Sequence, residues 1–185
     1  MLEREIRYKI DEDIKTKIIN SSIKVEDNQK CIDLCMGLYG FDSLDKLGYI
    51  IRIRKKNGKV FIESKKRLEN STWNEELINI NTIKEGYDFL SNIGLKPYLY
   101  INRNREVREI EKAIICIDEI DLLGTYVEFE LKENCQFEDI QEYIKQVGIT
   151  TYPDKLYGDI FKEKMNDLEF KIEFENNLNK FLENN

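Results

Sequence analysis

The 185-residue chain is 41% apolar and 35% charged, with ten Tyr and nine Phe, which suits one folded domain and is too aromatic for disorder. Its net charge of -7 argues against general affinity for nucleic acid polymers or anionic membranes, so any polyanion must sit in a local basic pocket. The chain has no histidine, and Cys31, Cys35, Cys116 and Cys135 show no CxxC spacing. Structural zinc is therefore not expected, the thiols should be reduced and mostly buried, and acid–base work falls to Glu, Asp, Lys, Tyr or water on a metal ion. No apolar run approaches a membrane span and the sequence opens on charges, so the expected location is cytoplasmic.

Residues 2–10 read as a strand in which Glu3, Glu5, Arg7 and Lys9 share one face and Leu2, Arg4, Ile6, Tyr8 and Ile10 the other. The ionic face is either solvated or turned into a polar lumen, and the later strands decide. Asp11-Glu12-Asp13 starts a helix carrying Ile14, Ile18 and Ile19. A strand is expected at 30–36, followed by a loop over 37–48. Residues 49–56 then place Arg52, Arg54 and Lys56 on one face.

Asn57-Gly58 predicts a hairpin into a return strand at 59–67, with Phe61, Glu63 and Lys65 on one face. The strand at 73–80 carries Glu75 and Glu76, whose facing the pattern leaves open. A helix follows at 82–92 with Gly94 as its stop. In the extended segment 98–110, Leu99, Ile101, Arg103, Arg105 and Val107 share a face. Strands at 113–120 and 124–131 follow, the first with Asp118 and the second with Tyr126, Glu128 and Glu130 on one side. Helical spacing marks 137–147, and Pro153 opens a further helix reaching Met165. Residues 168–182 fit both a strand and a helix, and are assigned as helix.

Each charged pair alone suits a solvated strand face, but the same alternation in strand after strand calls for a common lumen. The expected fold is α+β: an eight-stranded antiparallel β-barrel, a tunnel, with helices packed outside. Its lumen holds the acids Glu3, Glu5, Asp118, Glu128 and Glu130 and the bases Arg7, Lys9, Arg52, Arg54, Lys65, Arg103 and Arg105. The surplus of bases suits a polyphosphate, and the carboxylates suit a hard divalent cation, together the apparatus of phosphoryl transfer.

Glu3-Arg4-Glu5-Ile6-Arg7-Tyr8-Lys9 resembles the ExExK signature of the CYTH superfamily, the triphosphate tunnel metalloenzymes, which includes class IV (CyaB-type) adenylate cyclases and thiamine triphosphatases. Ile51-Arg52-Ile53-Arg54 is similar to the family's LRIR strand, and the segment from Phe61 to Lys65 to its return strand. Arg103-Asn104-Arg105 resembles KxR, Ile117-Asp118 with Leu123 to Glu130 the LD…LGxFxExE block, and the segment from Tyr152 to Leu156 a late YxxLL-like element. The resemblance covers most of residues 2–157, and with the single domain expected from the length, 1–185 reads as one domain with a core at about 2–157 and a helical extension at 158–185.

It also implies a triphosphate-binding tunnel that requires Mg²⁺ or Mn²⁺. Glu3, Glu5, Glu128 and Glu130, with Asp118 as a further candidate, would be metal-side acids, and Arg7, Arg52, Arg54, Lys65, Arg103 and Arg105 would clamp the phosphates. Lys9 joins the clamp by strand parity alone. Arg7 and Arg103 stand where the family has lysines and cannot lose a proton, which leaves Lys9 or Lys65 as a side-chain base, or water on a metal ion. Trp73-Asn74-Glu75-Glu76-Leu77 departs from the family's RxExE. Cys31-Ile32-Asp33-Leu34-Cys35 poorly matches the tyrosine and aspartate common after its first helix.

The expected function is a metal-dependent phosphohydrolase acting on an inorganic, nucleoside or other organic triphosphate. The alternatives are a class IV adenylate cyclase, making cyclic AMP and pyrophosphate from ATP, and a non-catalytic polyphosphate or nucleotide sensor. The expected assembly is a monomer or homodimer.

Overall fold

The computed structural model describes residues 2–68 and 72–184, without the side chains of Leu2, Glu3 and Asp27. β1 (Leu2–Lys9) leads into α1 (Glu12–Ser21), capped by the Asp11 carboxylate, which accepts from the Ile14 N–H at 2.9 Å. β2 (Ile23–Gly37) starts well before residue 30, where the sequence predicts it. Its first half alternates only at Ile23 and Val25, both exposed, before the polar run 26–30, and its pairing with the partner strand shifts register between Lys24 and Glu26 and again between Glu26 and Gln29. Tertiary pairing, not local pattern, makes this stretch a strand.

The loop after β2 contains a 3-10 turn and α2 (Ser43–Leu47). β3 (Tyr49–Lys56) and β4 (Lys59–Arg67) form the expected hairpin, with Asn57 at φ 50 and Gly58 at φ 80, the left-handed pair that a type I′ turn needs. Then come β5 (Thr72–Ile80), α3 (Ile83–Asn92), β6 (Lys96–Glu109), β7 (Ala113–Ile120) and β8 (Gly124–Leu131). A 3-10 turn runs into α4 (Gln141–Gln146). The next helix, α5 (Tyr157–Lys164), begins four residues after Pro153, and 151–156 crosses the protein as a non-helical strap. α6 (Leu168–Glu183) is helical throughout.

The eight antiparallel strands close into a barrel in the order β1-β5-β4-β3-β2-β6-β7-β8. Among the described residues β1 pairs with β8 from Glu5 to Lys9 and with β5 from Leu2 to Arg4. The strap runs along β1, where the Asp154 N–H donates to the Arg7 carbonyl at 2.8 Å.

Apolar side chains lie mainly outside the barrel. Tyr8, Ile115, Val127 and Phe129 bury against Ile18 of α1 and Ile144 of α4, and Leu34, Ile53 and Val60 against α3 and Phe181 of α6. At one end Tyr157, Ile160 and Phe161 of α5 form a cluster with the inward Leu99 and Ile101 and with Phe174 of α6. The four cysteines are free, three of them buried. No helix among the described residues is long and apolar enough to cross a membrane.

Strand alternation would group Ile172 with Phe174, whereas the helix separates them: Phe174 is 2% exposed and Ile172 is 50% exposed. Phe174→Ala is expected to cost about 3–5 kcal/mol in urea unfolding, and Ile172→Ala under about 0.5 kcal/mol. Equal losses would contradict this packing.

Candidate functional site

The barrel encloses a cavity of about 130 Å³ whose wall carries Arg7, Arg52, Arg54, Lys65, Arg103 and Arg105. Alternation along β1, β3, β4 and β6 places them there, since each is an even number of residues from its neighbour on the same strand. Glu5, Glu75, Glu128 and Glu130 face the same space.

Behind this wall lies a row of acids. Asp33 of β2, 1% exposed, accepts from Arg54 at 2.6 and 3.0 Å and pairs with Arg103 at 3.1 Å and Arg52 at 3.6 Å. Glu63 of β4 pairs with Arg54 at 3.1 Å and with Arg52. Asp118 of β7 accepts from Arg105 Nε at 2.7 Å and from the Tyr157 hydroxyl at 3.1 Å, and lies 3.7 Å from Arg103. On the far side Arg7 pairs with Glu5 at 2.5 Å and Glu128 at 3.0 Å, its guanidinium 4.7 Å from the centre of the Tyr157 ring. Lys65 pairs with Glu75 at 2.6 Å and Glu5 at 4.0 Å.

The sequence reading missed Asp33, Glu63 and Tyr157 as members of this cluster. With Glu75 they remove the expected surplus of bases: six cations meet seven carboxylates among the described side chains. Buried guanidiniums are tolerable only when paired, and these acids pair them. Glu63 was legible from its shared face with Lys65, whereas Asp33 is a single acid between Cys31 and Cys35. Glu75 points inward and Glu76 is exposed. Tyr157 enters from a helix, beyond any strand pattern. Tyr152, in the late YxxLL-like element, is 94% exposed.

Two expected members stand apart. Lys9, at the last position of β1, is exposed and outside the cavity wall, its ammonium 5.9 Å from the Tyr126 ring. Parity gave Lys9 the lumen side but not the depth. Asp118 is engaged by arginines and Tyr157 and is not part of the acidic cluster formed by Glu5, Glu128 and Glu130, whose ligand oxygens lie within 4.8 Å of one another. The Glu3 side chain lies outside the described residues.

The electrostatics follow the pairing. Burial opposes the charge on Asp33, but Arg54, Arg52 and Arg103 outweigh it and hold its pKa well below the usual carboxylate range. Burial likewise opposes ionisation of Glu128, and Arg7 and Arg105 override it, so its pKa is lowered. Glu130 goes the other way: burial raises its pKa, Arg105 only partly offsets this, and Glu128 and Glu5 add to the rise. Burial pushes the Cys35 thiol up to about 12, so it is not a nucleophile at neutral pH. Even in this network the Nε atoms of Arg7, Arg52 and Arg103 are buried with no hydrogen-bond partner among the described residues.

Residues 1–149 match the CYTH domain family. Among solved structures, the chain is similar to the PH1819 protein from Pyrococcus horikoshii OT3, at 20% identity and TM-score 0.74, over 88% of this chain and 99% of that one. It is also similar to a conserved hypothetical protein from Pyrococcus furiosus, at 20% identity and TM-score 0.73, over 85% and 98%. A third is HpAC1 from Hippeastrum, an adenylyl cyclase candidate with a dominant triphosphatase activity, at 15% identity and TM-score 0.64, over 88% and 95%. At these identities the likeness shows the fold. No curated protein matches the chain.

Asp33→Asn leaves three buried arginines without their shared counter-charge and is expected to cost about 3–5 kcal/mol at neutral pH. A carboxylate with a depressed folded-state pKa stabilises above its unfolded value of about 3.9 and loses that contribution as pH falls toward the folded one. The gap between wild type and variant in denaturant melts should therefore narrow below about pH 4. A gap that widens there would contradict the assignment.

Proposed function

Since the chain belongs to the CYTH domain family, we propose that it is a divalent-cation-dependent phosphohydrolase acting on a triphosphate held in the tunnel. The observation that carries this reading is the set of buried Nε–H donors on Arg7, Arg52 and Arg103 that lack acceptors among the described residues. An unpaired buried donor costs about 1–3 kcal/mol, and phosphoryl oxygens are acceptors of the right kind for guanidinium groups.

The acid cluster fits a hard cation. Glu5, Glu128 and Glu130 offer carboxylate oxygens within 4.8 Å of one another, and hard oxygen donors suit Mg²⁺ or Mn²⁺. These three residues would hold the ion, which when bound neutralises charge at the phosphoryl oxygens as a Lewis acid. Charge balance supports the same reading. A triphosphate brings on the order of four negative charges into a space whose own cations are already matched by acids, so it needs cations with it.

Arg7, Arg52, Arg54, Arg103 and Arg105 bind and orient the phosphate chain, each held from behind by a carboxylate. Asp118 acts as a support for Arg103 and Arg105. Lys65, on the cavity wall beside Glu75, takes the role of orienting the attacking water, for which Lys9 lies too far out. Water attacks the terminal phosphorus, the bond to the bridging oxygen breaks, the diphosphate portion leaves with that oxygen, and inorganic phosphate carries away the water's oxygen as a proton is released.

The test incubates the purified protein with Mg²⁺ or Mn²⁺ and, separately, tripolyphosphate, ATP and thiamine triphosphate, then resolves phosphate, pyrophosphate and cyclic AMP. Phosphate release that stops with a chelator is expected. Cyclic AMP with pyrophosphate would instead identify a cyclase, and tight tripolyphosphate binding without turnover a sensor. Glu5→Gln and Glu130→Gln should each lower metal-dependent turnover by roughly two orders of magnitude. Wild-type rates in either would remove that residue from the site.

A further inference from the structure

Resting on the triphosphate reading of the tunnel, we infer that Gln29 is a further ligand-binding residue, whose carboxamide turns onto the bound phosphate chain beside Arg105. Gln29 is 1% exposed, and both its Oε1 and its Nε2 are buried with no hydrogen-bond partner among the described residues. A buried amide ordinarily finds partners, because leaving either end unpaired forfeits its hydration for nothing. Among the described residues, no other side chain combines an unsatisfied buried donor atom with an unsatisfied buried acceptor.

The backbone aims this amide at the lumen. Pairing of β2 with β6 is regular from Gln29 to Cys35, with Gln29 opposite Arg105, Cys31 opposite Arg103 and Asp33 opposite Ile101. Side chains two apart share a side of the strand. Gln29 therefore lies on the side of Asp33, which meets three arginines, and of Cys35, which lines the cavity. The register shift between Glu26 and Gln29 sets that phase, and such irregularities often re-aim a side chain beside a site. Gln29 is not on the cavity wall itself, but Arg105 is. Directly opposite residues bring their Cβ atoms to about 4.5–5.5 Å, within reach of two long side chains.

The chemistry of the two groups is complementary. Arg105 commits Nε and Nη2 to Asp118 and Glu128, while its Nη1 pairs only with Glu130, at 3.7 Å. Once Glu130 holds a cation, Nη1 can donate to Gln29 Oε1, and Gln29 Nε2 donates to a phosphoryl oxygen held on Arg105. An amide makes this contact without adding charge to a tunnel whose cations are already matched by acids. Both of its hydrogen bonds form only with ligand.

Gln29 is the one buried glutamine of four, since Gln136, Gln141 and Gln146 are exposed. In the full chain carrying isotope-labelled glutamine, its side-chain amide is therefore the slowly exchanging signal in the magnetic resonance spectrum. The experiment adds inorganic tripolyphosphate with Mg²⁺ while following that signal. It also compares wild type with Gln29→Met, of similar shape, by calorimetry with the same ligands and by urea unfolding without them. The amide signal should shift saturably, and Gln29→Met should bind tripolyphosphate at least about tenfold more weakly. Without ligand the variant should unfold at the same or a higher urea concentration, because it removes an unpaired buried polar group.

An amide signal that does not move, or an unchanged affinity in Gln29→Met, would overturn the role of Gln29 and leave the tunnel reading intact. So would a Gln29→Met variant that is less stable without ligand, because the amide would then be satisfied already. Failure of the wild type to bind tripolyphosphate at all would overturn both readings.

Discussion

Asp33 meets three guanidiniums at the centre of the barrel, and the arrangement around it depends on that contact. Six cations inside one small barrel would repel one another by several kcal/mol at close range in a low-dielectric interior. Asp33, Glu63 and Asp118 remove that repulsion from behind, each bridging at least two arginines. The arginine side chains are thereby oriented before any ligand arrives. Yet the Nε atoms of Arg7, Arg52 and Arg103 lack hydrogen-bond partners among the described residues, so the network is stable enough to fold and still short of acceptors.

The same division of labour separates the two ends of the carboxylate set. Glu128 is committed to Arg7 and Arg105 and has a lowered pKa, whereas Glu130 lies 3.7 Å from Arg105 and has a raised one. Three acids crowded together with too little positive charge for all of them form an environment that a divalent cation would relieve. On the proposed reading, cation and triphosphate each make the other's binding affordable.

The barrel was legible because β1, β3, β4, β6 and β8 repeat a two-residue period with charge on one side, and helices or hairpins separate the strands where Gly, Asn and Pro allow. The clamp residues followed from the same parity. Parity says which face a residue takes but not how far along the lumen it sits, which is why Lys9 was included. The first half of β2 was invisible because only Ile23 and Val25 alternate before a polar run, and the segment owes its strand geometry to β6. Asp33 was passed over because one acid between cysteines carries no pattern. Tyr157 was passed over because it reaches the lumen from α5, and only the tertiary fold reveals it.

The central claim is that a nearly charge-balanced tunnel takes up a triphosphate together with a divalent cation. Thermal unfolding with tripolyphosphate alone, Mg²⁺ alone and both together tests it without requiring turnover. A ligand pair that binds only the folded state at about 100 times its dissociation constant contributes about 2.7 kcal/mol. The account predicts a rise in Tm of several degrees with both present, well above the sum of the separate shifts. A full shift from tripolyphosphate in the presence of a chelator, or none with both ligands, would contradict it.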